Sequence, residues 1–154
     1  MTFVATARAI LPSGSFPKPD DRVTLGYDAR LLRRKRLETD SGASVMVDLA
    51  ATTSLNPGDA LQLDDGRLIE IAAADEPVVV IKGNLPRLAW HIGNRHTPCQ
   101  VAADHLIIRR DPVLETMLAQ LGAKTSLAIL PFHPEGGAYG HGRTFGHSVA
   151  GHDH

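Results

Sequence analysis

Apolar and polar residues alternate in short segments through the first half of the chain. Four such segments predict strands, and their sequences are VTLGYDARLLRRKRLET, SVMVDL, ALQL and RLIEIAA. The turn signals DSGA, NPGD and DDGR lie between them, and Asp65-Gly66 favours a type I′ hairpin turn, which needs positive φ at both central residues. No segment before residue 80 has a helical period. The pattern therefore predicts a small β domain over residues 1–75.

Two helices are predicted in the second half from their start and stop signals. Asn84 can cap a helix that has Pro86 in its first turn, where a missing N–H costs little. That helix is expected to end before Pro98. Asp111 followed by proline is a second start signal, apolar residues follow it at helical spacing, and Gly122 is a stop signal.

Strand-like segments surround these helices. PVVVIKG precedes the first helix, CQVAA and HLIIRR lie between the two, and TSLAILPF follows the second. The order β-α-β-β-α-β is that of the ferredoxin-like split β-α-β arrangement. We therefore predict an α+β protein in which a ferredoxin-like domain over residues 76–132 follows the β domain.

Residues 133–154 have a different composition. This segment contains six glycines, almost no apolar periodicity, and five of the eight histidines of the chain. It has too little apolar surface to offset the entropy of ordering, so we expect a flexible tail. Histidine-bearing tracts imply metal binding, because neutral imidazole suits Ni, Cu and Zn. The alternative is a polar end without function or the remnant of a purification tag, although these histidines are dispersed rather than contiguous.

Composition narrows the possible functions. The net charge of −1 gives no general electrostatic reason to bind nucleic acid or a membrane. No apolar run approaches the roughly 20 residues of a spanning helix, and MTFVATARAI does not resemble a secretion signal. Cys99 is the only cysteine, which excludes an internal disulfide and fits a reducing compartment. These features predict a soluble cytoplasmic protein.

The stretch WHIGNRHTP, read as part of one short helix, offers a rigid ligand that a flexible tail needs. His91 and His96 are five residues apart, about 140° round a regular helix, so they should not form a pair on one face. One His96 per chain makes a poor site. Two copies across a two-fold axis make a better one, because an isologous interface places a residue opposite its own symmetry mate. The alternative is that His96 is an ordinary surface or capping residue.

Several stretches together resemble the UreE family of urease accessory proteins, whose motif is close to H-L-G-N-R-H-x-P. They are NLPRLAWHIGNRHTP, DPVLETMLAQLGAKT, PFHPEGGAYGHG and, in the β domain, YDARLLRRKR and LNPGDALQLDDG. The resemblance covers nearly the whole chain. It implies a cytosolic nickel metallochaperone rather than an enzyme. Such a protein delivers Ni(II) to apo-urease during active-site assembly, through the accessory GTPase UreG and the urease pre-activation complex.

The resemblance also implies a homodimer joined through the ferredoxin-like domain, in which the two His96 side chains bind Ni(II) and tail histidines complete the ligand shell. The candidate metal ligands are His96, His141, His147, His152 and His154. Zn(II) and Cu(II) are expected to compete for these ligands, since the Irving–Williams order places Cu(II) above nickel and zinc. Arg109 and Arg110 stand where some relatives carry a metal-binding H-x-H pair, so extra sites there are disfavoured. His133 replaces a usual Glu and is either a further ligand or a neutral change.

Other functions were weighed against delivery of nickel. A metal-dependent hydrolase needs ligands on rigid elements and a carboxylate base, and no Glu or Asp neighbours His96 in the sequence. A general zinc or nickel storage module and a peptide-binding β module with a zinc-buffering tail are further alternatives. Cys99 is expected to be a small buried hydrophobe, Trp90 to pack in the core or an interface, and His105 to face solvent.

The run Arg33 to Arg36 is the one strongly basic segment. On an edge strand it would keep that edge from pairing with other chains. The functional alternative is a docking surface for an acidic partner. Nucleic acid is disfavoured, because the chain has few aromatic residues to stack on bases.

Overall fold

The computed structural model describes residues 4–136, so the predicted flexible tail lies almost wholly outside the described residues. The chain divides into two compact units, Met1–Ala74 and Asp75–His154. Among the described residues, neither α-helix is long and apolar enough to cross a membrane.

The N-terminal unit is a six-stranded sheet. Its strands are β1 (Val4–Leu11), β2 (Asp21–Leu25), β3 (Leu31–Glu38), β4 (Ser44–Ser54), β5 (Ala60–Leu63) and β6 (Leu68–Ala73). Their order across the sheet is β2-β6-β5-β1-β4-β3. The pairs β1–β4 and β2–β6 are parallel, and the other pairs are antiparallel. Alternate residues of β4, such as Val45 and Val47, are buried against residues of the other strands, which explains the period of two in the sequence.

The predicted segment VTLGYDARLLRRKRLET is two strands rather than one. The chain leaves β2, forms a short 3-10 helix (Asp28–Arg30) and then enters β3. Arg30 is almost completely buried, its Nη1 donates to the carbonyl of Leu25 (2.9 Å), and its guanidinium lies 5.8 Å from the ring centroid of Tyr27. The buried arginine stabilises this interruption between β2 and β3, because a buried cation needs polar partners.

The turn predicted at Asp65-Gly66 exists, but the type I′ prediction is wrong. Gly66 has positive φ (91°), whereas no described non-glycine residue of this unit does. Four residues connect Leu63 to Leu68, and loops of this length are most often built around a type I turn. The backbone N–H of Arg67 donates to the Asp65 carboxylate (3.0 Å), and this hydrogen bond lowers the pKa of Asp65.

The C-terminal unit has the predicted element order. Its elements are β7 (Asp75–Lys82), α1 (Leu85–Asn94), β8 (Gln100–Val101), β9 (Leu106–Arg109), α2 (Pro112–Gln120) and β10 (Lys124–Pro131). The sheet order is β10-β7-β9-β8, and every neighbouring pair is antiparallel. Both helices contribute buried residues to one core with the two central strands. Its members are Val79, Ile81, Leu88, Ile92, Leu106, Ile108, Leu114 and Leu118.

Both predicted helix starts are confirmed. The Asn84 side chain accepts a hydrogen bond from the N–H of Arg87 (3.2 Å). The Asp111 carboxylate accepts from the N–H groups of Val113 (3.0 Å) and Leu114 (3.1 Å). These side chains satisfy N–H groups that have no partner inside the helix.

Candidate metal centre

His96 lies just beyond helix α1. The prediction that His96 belongs to the same short helix as His91 is therefore wrong. The helix ends at Asn94, and His96 has the left-handed φ of 58°. The N–H of His96 donates to the carbonyl of Gly93 (2.9 Å), and the N–H of Thr97 donates to that of Ile92 (3.4 Å). This pair of bonds is the Schellman motif, in which glycine usually occupies the left-handed position.

Helix α2 ends in the same way with glycine in that position. Gly122 has φ 84°, and its N–H donates to the carbonyl of Ala119 (3.0 Å). The N–H of Ala123 donates to Leu118 (3.0 Å). His96 is the only non-glycine residue with positive φ among residues 4–136. Since the backbone geometry of the two helix ends is equivalent, histidine is less favourable than glycine for the local structure at position 96.

Replacing His96 by glycine is therefore expected to stabilise the metal-free protein by about 1 kcal/mol, because it relieves a left-handed side chain. Urea unfolding followed by the fluorescence of Trp90, in helix α1, measures the change. The matched variant Gly122→His should lower stability by a similar amount, since no atom lies within 4 Å of a Cβ built there and only the backbone strain is added. A less stable His96→Gly variant would contradict this account.

The exposed His96 side chain lines a shallow depression of about 550 Å³. The depression is also lined by Glu76, Pro77, Thr97, Pro98, Arg109, Arg110 and Asp111. Glu76 and Asp111 thus line the same depression as His96, although neither residue is near it in the sequence. The reason is the pairing of β7 with β9, which sets Val78 opposite Arg109 and so brings residues 76–77 beside 109–111.

Two of the charged side chains that line this depression, Arg110 and Asp111, also form contacts with helix α2. Arg110 Nε donates to Glu115 (3.1 Å), and this bond lowers the pKa of Glu115. Asp111 Oδ1 caps helix α2. Among residues 4–136, no group of three or more His, Cys, Asp or Glu side chains is placed to hold a metal ion. His96 therefore needs ligands from outside the described part of one chain to make a complete metal site.

The other described histidines in this unit have different surroundings. His91 is half-buried on helix α1, where its ring meets that of Trp90 edge-on at 5.0 Å between centroids. His105 bonds to the Asp104 carboxylate (2.6 Å), which lowers the pKa of Asp104. The His105 side chain is 29% exposed, so it faces solvent in part. Trp90 is 63% exposed and is not a core residue of this chain, while its place in an interface stays a prediction.

Cys99 is half-buried and packs against the core of the C-terminal unit. Burial raises the pKa of its thiol to about 11. In the absence of a metal this thiol is therefore protonated and uncharged at neutral pH. Cys99 therefore has the character of a small hydrophobe, as predicted.

The histidine-bearing segment begins close to this site. Phe132 is fully buried after β10. The N–H of His133, whose side chain is exposed, donates to the Gln100 side chain (2.9 Å), and the N–H of Glu135 donates to the carbonyl of Cys99 (2.9 Å). The chain thus passes beside Cys99, three residues from His96. The predicted ligands His141, His147, His152 and His154 lie outside the described residues.

Comparisons with known proteins match residues in both units, from residue 7 to residue 154. The model of the UreE urease accessory protein N-terminal domain matches residues 7–74, and that of the C-terminal domain matches residues 68–154. Proteins named urease accessory protein UreE are similar to this chain in several bacteria. That of Cereibacter sphaeroides is 58% identical over 148 residues, covering 96% of this chain and 81% of the relative. That of Ruegeria pomeroyi is 58% identical over 142 residues, covering 92% and 95%.

The relative in Paracoccus denitrificans is 62% identical over 125 residues, covering 81% of this chain and 80% of the relative. These relatives are named as accessory proteins rather than enzymes. Both domain models match in the order in which the two units follow each other along the chain. The chain therefore belongs to the UreE family of urease accessory proteins.

Proposed function

We propose that this protein binds Ni(II) in the cytoplasm and delivers it to apo-urease during assembly of the urease active site. The observation that carries the proposal is His96, an exposed imidazole kept at a left-handed helix end where glycine is favoured. Imidazole is a suitable ligand for nickel. Membership in the family of urease accessory proteins supplies the recipient of the metal.

We infer that the metal lies between two copies of the chain. His96 alone cannot hold an ion, and a two-fold axis through an isologous interface would bring a second His96 to it. The C-terminal unit is the proposed dimerisation domain, with a ferredoxin-like arrangement. Its four antiparallel strands in the order β10-β7-β9-β8, with both helices in one core, support that fold.

The tail histidines are the proposed remaining ligands. Consecutive Cα atoms are about 3.8 Å apart, so His96 lies at most about 11 Å from Cys99, where the described chain passes at Glu135. His141 is six residues beyond Glu135, which is enough chain for roughly 20 Å. His141 is thus within reach of His96, and His147, His152 and His154 have more chain still. The length of the tail therefore does not limit its access to the site.

Delivery of the ion is possible because the His96 ligands and the tail ligands differ in how firmly the protein holds them. The proposed His96 pair is fixed at two helix ends, whereas tail imidazoles are exchanged one at a time. Ligands of the recipient would replace the tail histidines before His96 releases the ion. The proposed recipients are the accessory GTPase UreG and the urease pre-activation complex. Zn(II) and Cu(II) would occupy the same donors when they are supplied instead.

The proposed function is tested by activation of apo-urease at limiting nickel. The nickel-loaded protein should support activation, and His96→Asn should lower the yield of active urease at least tenfold, because it lacks the ligand that retains the ion. His105→Asn, in the same unit, is the matched control and should behave as the original protein. Nickel bound by the original protein but never passed to urease would favour the storage alternative. Hydrolytic turnover with a bound metal would favour the hydrolase.

A further inference from the structure

Strand β3 carries its positive charges at an open edge of the N-terminal sheet. Within the described residues it pairs with β4 alone. Leu32 and Leu37 are buried near its two ends, whereas all four residues between them, 33–36, are exposed. A regular strand at a sheet surface would bury every second residue. The strand is thus anchored by two leucines while its cationic middle projects from both faces.

The charges of this basic strand, Arg33, Arg34, Lys35 and Arg36, are not neutralised within the described part of the chain. Among residues 4–136, no carboxylate lies within 4.0 Å of any of the four, although Asp48 is the register partner of Arg34. Four arginines elsewhere on the described surface do have carboxylate partners, namely Arg8, Arg22, Arg67 and Arg110, whereas the isolated Arg87 and Arg95 do not. The positive charge of β3 is therefore available to another molecule.

We propose that β3 is the docking strand for an extended acidic segment of a partner protein. An open strand edge offers main-chain N–H and C=O groups to a further strand, and side chains on alternate faces then decide which sequence is accepted. Cations on both faces of β3 select glutamate or aspartate on both faces of the added strand. The residues of this site all belong to the N-terminal unit, whereas His96 belongs to the C-terminal unit.

A protein segment fits this strand better than a nucleic acid or a membrane does. The four cations span roughly 13 Å along one strand, the length of a short peptide. The run contains no aromatic side chain for base stacking, and the chain as a whole is slightly negative. Protection of the edge against other chains is commonly achieved with charged residues, especially lysine, and it does not explain four adjacent cations.

The probe for this site is a fluorescein-labelled decapeptide in which pairs of glutamates alternate with pairs of threonines, so that an added strand carries glutamates on both faces. Its anisotropy is measured against the full chain at low and at moderate salt. Arg34→Gln with Arg36→Gln should weaken binding at least tenfold and reduce its salt dependence, and Arg33→Gln with Lys35→Gln should do the same from the other face. The control, Lys18→Gln with Arg87→Gln, removes the same charge from exposed positions elsewhere and should change affinity less than twofold.

Three results would overturn the proposal. The first is unchanged affinity in both β3 variants, including the case in which they self-associate, which would assign the run to edge protection. The second is equal affinity for a peptide with glutamine in place of glutamate. The third is tighter binding of duplex DNA or of phosphatidylserine vesicles than of the acidic peptide. Since all four positions are exposed, the variants are expected to fold, and circular dichroism checks this.

Discussion

Replacing His96 by asparagine is expected to abolish the tightest Ni(II)-binding event of the protein, with a loss of affinity of at least 100-fold. Asparagine tolerates the left-handed conformation found here at φ 58°, so the end of helix α1 should be preserved. Its amide is a much weaker nickel ligand than imidazole. Calorimetric titration of the intact protein and the variant measures the difference. The variant His96→Ala should lose as much affinity for Ni(II) as His96→Asn does, but it should also keep the strain of the left-handed backbone.

The variant His105→Asn is the control for this titration, because it removes a histidine of the same unit that is bonded to Asp104. This variant should leave the affinity of the tightest Ni(II)-binding event unchanged. If His96→Asn retains that event while His105→Asn or another variant removes it, the assignment of His96 as the anchoring ligand is wrong.

Shortening the chain to end at Ala138 is the second change with a large expected effect. It removes His141, His147, His152 and His154 and retains every described element. We expect fewer ions per dimer and an affinity at the remaining site that is lower by roughly 10- to 100-fold, since linked ligands act at high effective concentration. Equilibrium dialysis gives both quantities. An unchanged ion count and affinity would exclude the tail as a source of ligands.

The helices were predictable because their signals are local. Asn84 and Asp111 each accept a hydrogen bond within the first turn of their helix, so each start is encoded in a few adjacent residues. Strand β1 was not predicted, since its buried residues include Ala5 and Ala7, which give a weak hydrophobic alternation and have low strand propensity. The type of the turn at Asp65 was also not predicted correctly, because a favourable dipeptide indicates a turn but does not determine the length of the loop.

The site was predictable only in part. The sequence motif identifies His96, but it gives no sign of the left-handed backbone, which becomes evident from the hydrogen bonds of Gly93 and Ile92. The register between β7 and β9 brings the segment of Glu76 beside that of Asp111, and both residues line the depression that His96 also lines. These residues are distant in the sequence and carry no common pattern. Tertiary pairing, rather than any local signal, decides the charge around the candidate ligand.

The conformation of His96 connects stability with the proposed function. A strained backbone at a single polar residue indicates a functional requirement when an unstrained residue would serve the fold better. Gly122 shows that this chain uses glycine at the equivalent end of helix α2. The stability lost at His96 is small, and the hydrogen bonds of this helix end fix the backbone position of the proposed ligand.

Native mass spectrometry of the chain ending at Ala138, with one equivalent of Ni(II), tests the central claim most directly. The account predicts a dimer that carries one nickel ion, and a nickel-free dimer when His96→Asn is introduced into the same chain. A monomer that binds its own ion, or a dimer that carries the same nickel without His96, would contradict it.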